Sequence, residues 1–197
     1  MSPMQRSGHI DRPRWRALAA AAALCVAAAS SGAVATTDVA PPSEIGTALP
    51  AARPLGTATM RFLGWRVYDA RLWAGAEFSA SRFEAQPFAL ELQYARTLEG
   101  AAIARRSVEE MRRLGSIDDA QAEAWRTAMT RAFPDVAPGD RLTGLHLPEG
   151  RTRFFHNGRL THEIEGRSFA RLFFGIWLAP ATSEPALRRQ LLGTAAP

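Results

Sequence analysis

The sequence predicts an α+β domain in which an antiparallel sheet carries helices on one face. Three observations lead there. Phe88 to Tyr94 alternates without a break, with Phe88, Leu90, Leu92 and Tyr94 on one face and Ala89, Glu91 and Gln93 on the other. That period of two is the mark of a half-buried antiparallel strand. Phe169, Leu172, Phe173, Ile176 and Trp177 recur at helical spacing and form one apolar stripe. Between these segments, two strand-like runs flank Asn157-Gly158, a dipeptide suited to the two positive φ angles of a tight hairpin turn.

The remaining elements follow in chain order. Arg6, Arg12, Arg14 and Arg16 precede an apolar run from Ala17 to Ala29 and a small-residue exit ending Ala33-Val34-Ala35. This is the pattern of an export signal, residues 1–35, with cleavage expected after Ala35. The apolar run is shorter than the roughly 20 residues a membrane-spanning helix needs, so no stable span is expected after cleavage. The only cysteine, Cys25, lies inside this segment. The processed chain, periplasmic or secreted, is then expected to lack disulfides, thiolate metal sites and a cysteine nucleophile. Residues 36–53 are rich in Pro, Ala and Thr and read as an unpacked linker. One domain of ordinary size follows, residues 54–193, with 194–197 as a tail.

Within that domain, Thr57 to Trp73 reads as two strands meeting near Gly64. Leu98 to Leu114 reads as a helix with Ala101, Ala104, Val108 and Met111 inward, and Gly115 as the residue that ends it. Ser116 to Asp119 opens a second helix that Pro134 stops. A strand near Thr143 turns at Pro148-Glu149-Gly150 into the Asn157-Gly158 hairpin. A short helix, Ser183-Glu184-Pro185 through Leu192 with Pro185 in its first turn, closes at Gly193.

The formal net charge is +5, with no lysine anywhere. Four arginines against Asp11 sit in the leader, so the rest of the chain is nearly balanced. Its arginines are interleaved with acids rather than blocked, which argues against a nucleic-acid partner.

Arg61, Tyr68, Tyr94 and Arg96 are the constellation with chemical promise. Guanidinium groups grip a carboxylate or enolate oxygen in bidentate fashion, and phenols add short hydrogen bonds. Converging at the mouth of an apolar pocket, they would suit a small hydrophobic or carboxylate-bearing ligand. The alternative is that the arginines pair with surface acids and the tyrosines finish the core. A two-residue Asn157-Gly158 turn pairs His156 with Arg159 and Arg153 with His162, placing the two histidines on opposite faces. With His146 as the remaining candidate, no metal site is expected, nor any other cofactor. Glu109-Glu110 and Asp118-Asp119 read as helix-surface acids.

From Leu55 to Leu192 the chain resembles bacterial members of the chalcone isomerase-like family. Gly56 to Trp73, Phe133-Pro134-Asp135 with Pro138-Gly139-Asp140, the Asn157-Gly158 hairpin, Phe169 to Leu178, and Leu187 to Leu192 carry the likeness. It implies an open-faced β-sandwich, an antiparallel sheet with helices packed on one face. It also implies a functional arginine near Arg61, facing the helix-covered side. Tyr68 stands where the isomerases have a threonine, Arg105 or Arg106 where they have an asparagine, and Ser168 near a late hydroxyl. With most of that set changed, the resemblance implies non-catalytic binding of a fatty-acid-like ligand. An isomerase or lyase working through an enolate-like intermediate, and a structural or assembly role in the cell envelope, remain as alternatives.

Overall fold

Leu63 and Gly64 hold φ angles of 49° and 82°, and this tight turn joins β1 (Arg53–Phe62) to β2 (Trp65–Ala74). The computed structural model describes residues 39–193, so the leader, its cleavage site and the tail lie outside the described residues. Strands β3 (Phe88–Tyr94), β4 (Arg141–Leu147), β5 (Arg151–His156) and β6 (Arg159–Glu165) follow. All six form one antiparallel sheet in sequence order. Asn157 and Gly158 take φ of 49° and 82°, the hairpin geometry that dipeptide predicts.

Four helices cover one face: α2 (Gly100–Leu114), α3 (Asp119–Ala132), α4 (Arg167–Leu178) and α5 (Pro185–Leu191). Asp118 caps α3 by accepting the Gln121 amide at 2.7 Å. Asp135 accepts the Gly100 amide at 2.9 Å and so fixes the start of α2. Asp140 accepts from Ala137 at 2.8 Å and from the Asn157 amide group at 2.9 Å, tying two turns together. The Phe-Pro-Asp and Pro-Gly-Asp motifs are thus joints of the fold. The core lies between sheet and helices, where Leu72, Phe88, Leu90 and Phe154 meet Phe169, Phe173 and Phe174.

Four expectations are corrected here. Residues 36–53 are not an unpacked linker throughout: Ser43–Ala48 forms a helix, α1, on the opposite face of the sheet. Ile45 is 0 % exposed and packs with Trp73, Ala89 and Leu145, and Glu44 pairs with Arg141 at 2.7 Å. For the same reason β3 is buried on both faces except at Gln93. Gly115 ends α2 in extended conformation, φ −173°, not in the left-handed region. A Cβ there would lie 2.9 Å from Leu172 Cδ2, a side-chain tip that would have to move, so the glycine lets α4 pack close against the end of α2.

The fourth correction concerns the β5–β6 hairpin. A register shift between Phe154 and Phe155 pairs Phe154 with His162 and Arg153 with Glu163. The extra residue on β6, Thr161, donates its hydroxyl to the carbonyls of Ala132 (2.7 Å) and Phe154 (3.1 Å). The bulge therefore turns His162 to the face of Phe154, and the argument that separated the histidines fails. Even so, no three His, Cys, Asp or Glu side chains among the described residues gather around a common point.

Candidate functional site

Strand pairing sets Tyr68 of β2 directly opposite Tyr94 of β3, and the pleat turns both towards the helices. Their rings meet edge to face with centroids 5.8 Å apart. Trp177, inside the α4 stripe, donates its indole N–H to the Tyr68 oxygen at 3.0 Å. The Tyr68 hydroxyl accepts there, so its own proton remains available to a further acceptor. Tyr94 is 3 % exposed. Burial pushes Tyr68 up to about 12, opposed by the Trp177 hydrogen bond and reinforced by the charges of Glu184 and Glu110. Tyr94 is raised further, by burial and then by Tyr68. Both phenols stay protonated across physiological pH and act as neutral donors.

These tyrosines line a cavity of about 390 Å³ between the sheet and helices α2, α4 and α5. That volume falls in the range of small-molecule sites, roughly 300–1,000 Å³. Its deep walls are Leu90, Leu92, Leu142, Phe154, Phe173 and Phe174, all buried or nearly so. Phe62, Arg96, Arg106 and Glu184 also line it but are exposed, which identifies the mouth. Arg96 stands over the Trp65 ring, 5.8 Å from its centroid.

A second polar group meets the cavity from α2. Glu110 is only 7 % exposed. It accepts the Ser183 hydroxyl at 2.9 Å, forms an ion pair with Arg106, and has Arg113 at 3.9 Å. The expectation of a solvated surface acid is therefore wrong for Glu110. Its signal was present in the sequence: Ile103, Ser107, Glu110 and Leu114 fall at i, i+4, i+7 and i+11, a second stripe beside the apolar one. Ser183 and Trp177 carried no such signal for this role.

Tyr68, Tyr94 and Arg96 of the sequence-derived set line the cavity; Arg61 and Ser168 do not. Arg61 is exposed, and its guanidinium donates to the Gly64 carbonyl at 3.4 Å. The pleat explains it, because Met60 and Phe62 face the cavity and the residue between them faces away. Ser168 is exposed in the first turn of α4; the late hydroxyl at the cavity is Ser183. At the isomerase asparagine position, Arg106 lines the cavity and Arg105 does not.

None of the described histidines lines the cavity. His146 is buried on β4, with Nε2 3.0 Å from the Glu84 carbonyl and its ring between Phe88 and Phe174. His156 lies 3.6 Å from Asp140 at the hairpin turn. The cavity can therefore offer hydrogen-bond donors and apolar area. Of its acidic groups, Glu110 is tied to Arg106 and Ser183, and Glu184 is exposed.

Comparison with known proteins places this geometry among relatives. The family model described as chalcone isomerase-like matches residues 56–193. An uncharacterized protein of Haemophilus influenzae is 29% identical over 141 residues, covering 72% of this chain and 68% of that protein. The crystal structure of an Arabidopsis thaliana fatty-acid binding protein aligns with a TM-score of 0.55 at 15% identity, covering 74% of this chain and 88% of that one. At that identity the likeness is one of fold.

Proposed function

The chain belongs to the chalcone isomerase-like family, and from that premise we propose that it binds, without transforming it, a small apolar or anionic amphipathic molecule. The ligand's hydrocarbon part fills the cavity and its polar end meets the phenols of Tyr68 and Tyr94, with Arg96 at the mouth. The observation that carries this reading is the cavity itself, with deep apolar walls and two protonated phenols turned inward. The fatty-acid-binding activity named for the Arabidopsis structure supports it as an analogy of fold.

Binding is preferred to an enolate-forming isomerisation because such chemistry needs a base in reach of the substrate. The phenols are held protonated, and the buried carboxylate is already paired. Export to the periplasm or beyond is part of the proposal and rests on the pattern from Arg6 to Ala35. Titration calorimetry of delipidated protein with fatty acids of increasing length, beside an absorbance assay on a chalcone, tests the reading. Saturable one-to-one binding without ring closure is expected. Turnover of the chalcone, or no binding at any chain length, refutes it.

A further inference from the structure

Five large apolar side chains among the described residues are exposed, and three of them sit on one four-residue turn: Phe62 at 61 %, Leu63 at 83 % and Trp65 at 69 %. The turn is the tip of the β1–β2 hairpin. Leu63 holds a positive φ there, which bulky residues seldom adopt. Folding gains nothing from a leucine at that angle with its side chain in water. An asparagine or glycine would make the turn more cheaply.

The tip is flanked by cations. Arg61 and Arg66 bracket it in sequence, and Arg96 reaches over the Trp65 ring from the β3 side. Arg66 is shared with Asp69, and among the described residues Arg61 has only the Gly64 carbonyl as partner. The same tip borders the cavity mouth, since Phe62 and Arg96 line the cavity while being exposed.

We propose that this hairpin tip docks the protein on an anionic lipid bilayer, with Leu63, Trp65 and Phe62 entering the interface and the arginines meeting headgroup phosphates. An indole at headgroup depth, an aliphatic residue below it and arginines beside them match the composition of an interfacial anchor. No described helix is long and apolar enough to cross a membrane, so the contact is peripheral. Two copies of the tip would bring like-charged arginines together, which disfavours self-association as its purpose. The docked orientation sets the cavity mouth against the bilayer, where an amphipathic ligand could pass without crossing water. That last step rests on the ligand-binding reading; the docking does not.

The test is co-sedimentation of delipidated protein with vesicles of phosphatidylcholine containing phosphatidylglycerol, and of phosphatidylcholine alone. The comparison includes Leu63→Asn combined with Trp65→Ser, and Leu160→Asn as a control. Leu160 is 58 % exposed on a different hairpin, and asparagine accepts the backbone angle at position 63. Binding to the mixed vesicles, weakened about tenfold or more in the tip variant and by added salt but unchanged in Leu160→Asn, is expected. Fatty-acid binding in detergent-free solution should survive in Leu63→Asn alone, which leaves the Trp65–Arg96 contact in place. The proposal is overturned by absence of vesicle binding, by equal loss in both variants, or by a concentration-dependent dimer that the tip substitutions dissolve. A fatty-acid titration that fails while vesicle binding persists sinks the ligand reading alone.

Discussion

Replacing Tyr94 by phenylalanine should strengthen the empty protein and weaken its ligand complex. Nothing among the described residues hydrogen-bonds the Tyr94 hydroxyl, yet the residue is 3 % exposed. That hydroxyl is not among the enclosed side-chain atoms left unpaired. It opens on the cavity, so its cost lies below the about 1–3 kcal/mol of a fully buried, unpartnered hydroxyl. Water in the cavity recovers part of that, so Tyr94→Phe should gain up to about 1 kcal/mol. For a domain of this size the gain raises Tm by roughly 2–4 °C. Tyr68→Phe has the opposite sign. It leaves the Trp177 indole N–H, now bonded at 3.0 Å, without an acceptor in a buried place, at about 1–3 kcal/mol. Each variant also loses one neutral hydrogen bond to a ligand's polar end, about 0.5–1.5 kcal/mol, or roughly three- to tenfold in Kd. Thermal unfolding of delipidated protein gives the first quantity and displacement of a fluorescent fatty acid the second. Equal destabilisation by both substitutions, or full ligand affinity in Tyr94→Phe, would refute the reasoning.

Three further outcomes follow from the fold. Ile45→Ala should destabilise by about 2–5 kcal/mol in chemical denaturation, because Ile45 is fully buried under the sheet; a neutral effect would make α1 a mere appendage. Gly56→Ala should cost about 3 kcal/mol, since a Cβ there would lie 2.1 Å from the Gln190 carbonyl where α5 crosses β1; a wild-type denaturation midpoint would contradict that crossing. Burial lowers the His146 pKa below its usual value, opposed by the Glu84 carbonyl. The unfolded chain then takes the proton first. The stability His146 contributes is present above about pH 6.5 and is lost as pH falls through the lower folded value. His146→Phe keeps the contacts with Phe88 and Phe174 and should remove that acid limb from the stability profile; a limb of unchanged depth would exonerate His146.

The sheet and its helices were legible because their residues obey the two periods strictly. Phe88 to Tyr94 alternates, the α4 stripe never slips, and Asn157-Gly158 names its own turn. What escaped was decided by tertiary packing. Ser43–Ala48 has a single strong apolar anchor, Ile45, between prolines, so nothing local marks it as packed. The bulge at Phe154 leaves no mark in the alternation, and it reversed the face of His162. Arg61 is a different case. The run Ala58, Met60, Phe62 already turns it outward, and its placement in the cavity came from the family likeness rather than from the strand. Glu110 was hidden by its charge, which suggests a solvated face until Ser183 and Arg106 are seen around it.

Native mass spectrometry of the protein purified without added lipid tests the central claim most directly. The Ala102→Trp variant serves beside it, because Ala102 lines the cavity on α2 and the larger ring occupies the space. The account predicts a one-to-one adduct with the mass of a fatty-acid-like molecule in the unaltered protein, diminished or absent in Ala102→Trp. An unliganded mass in both, with no adduct after incubation with oleate, would contradict it.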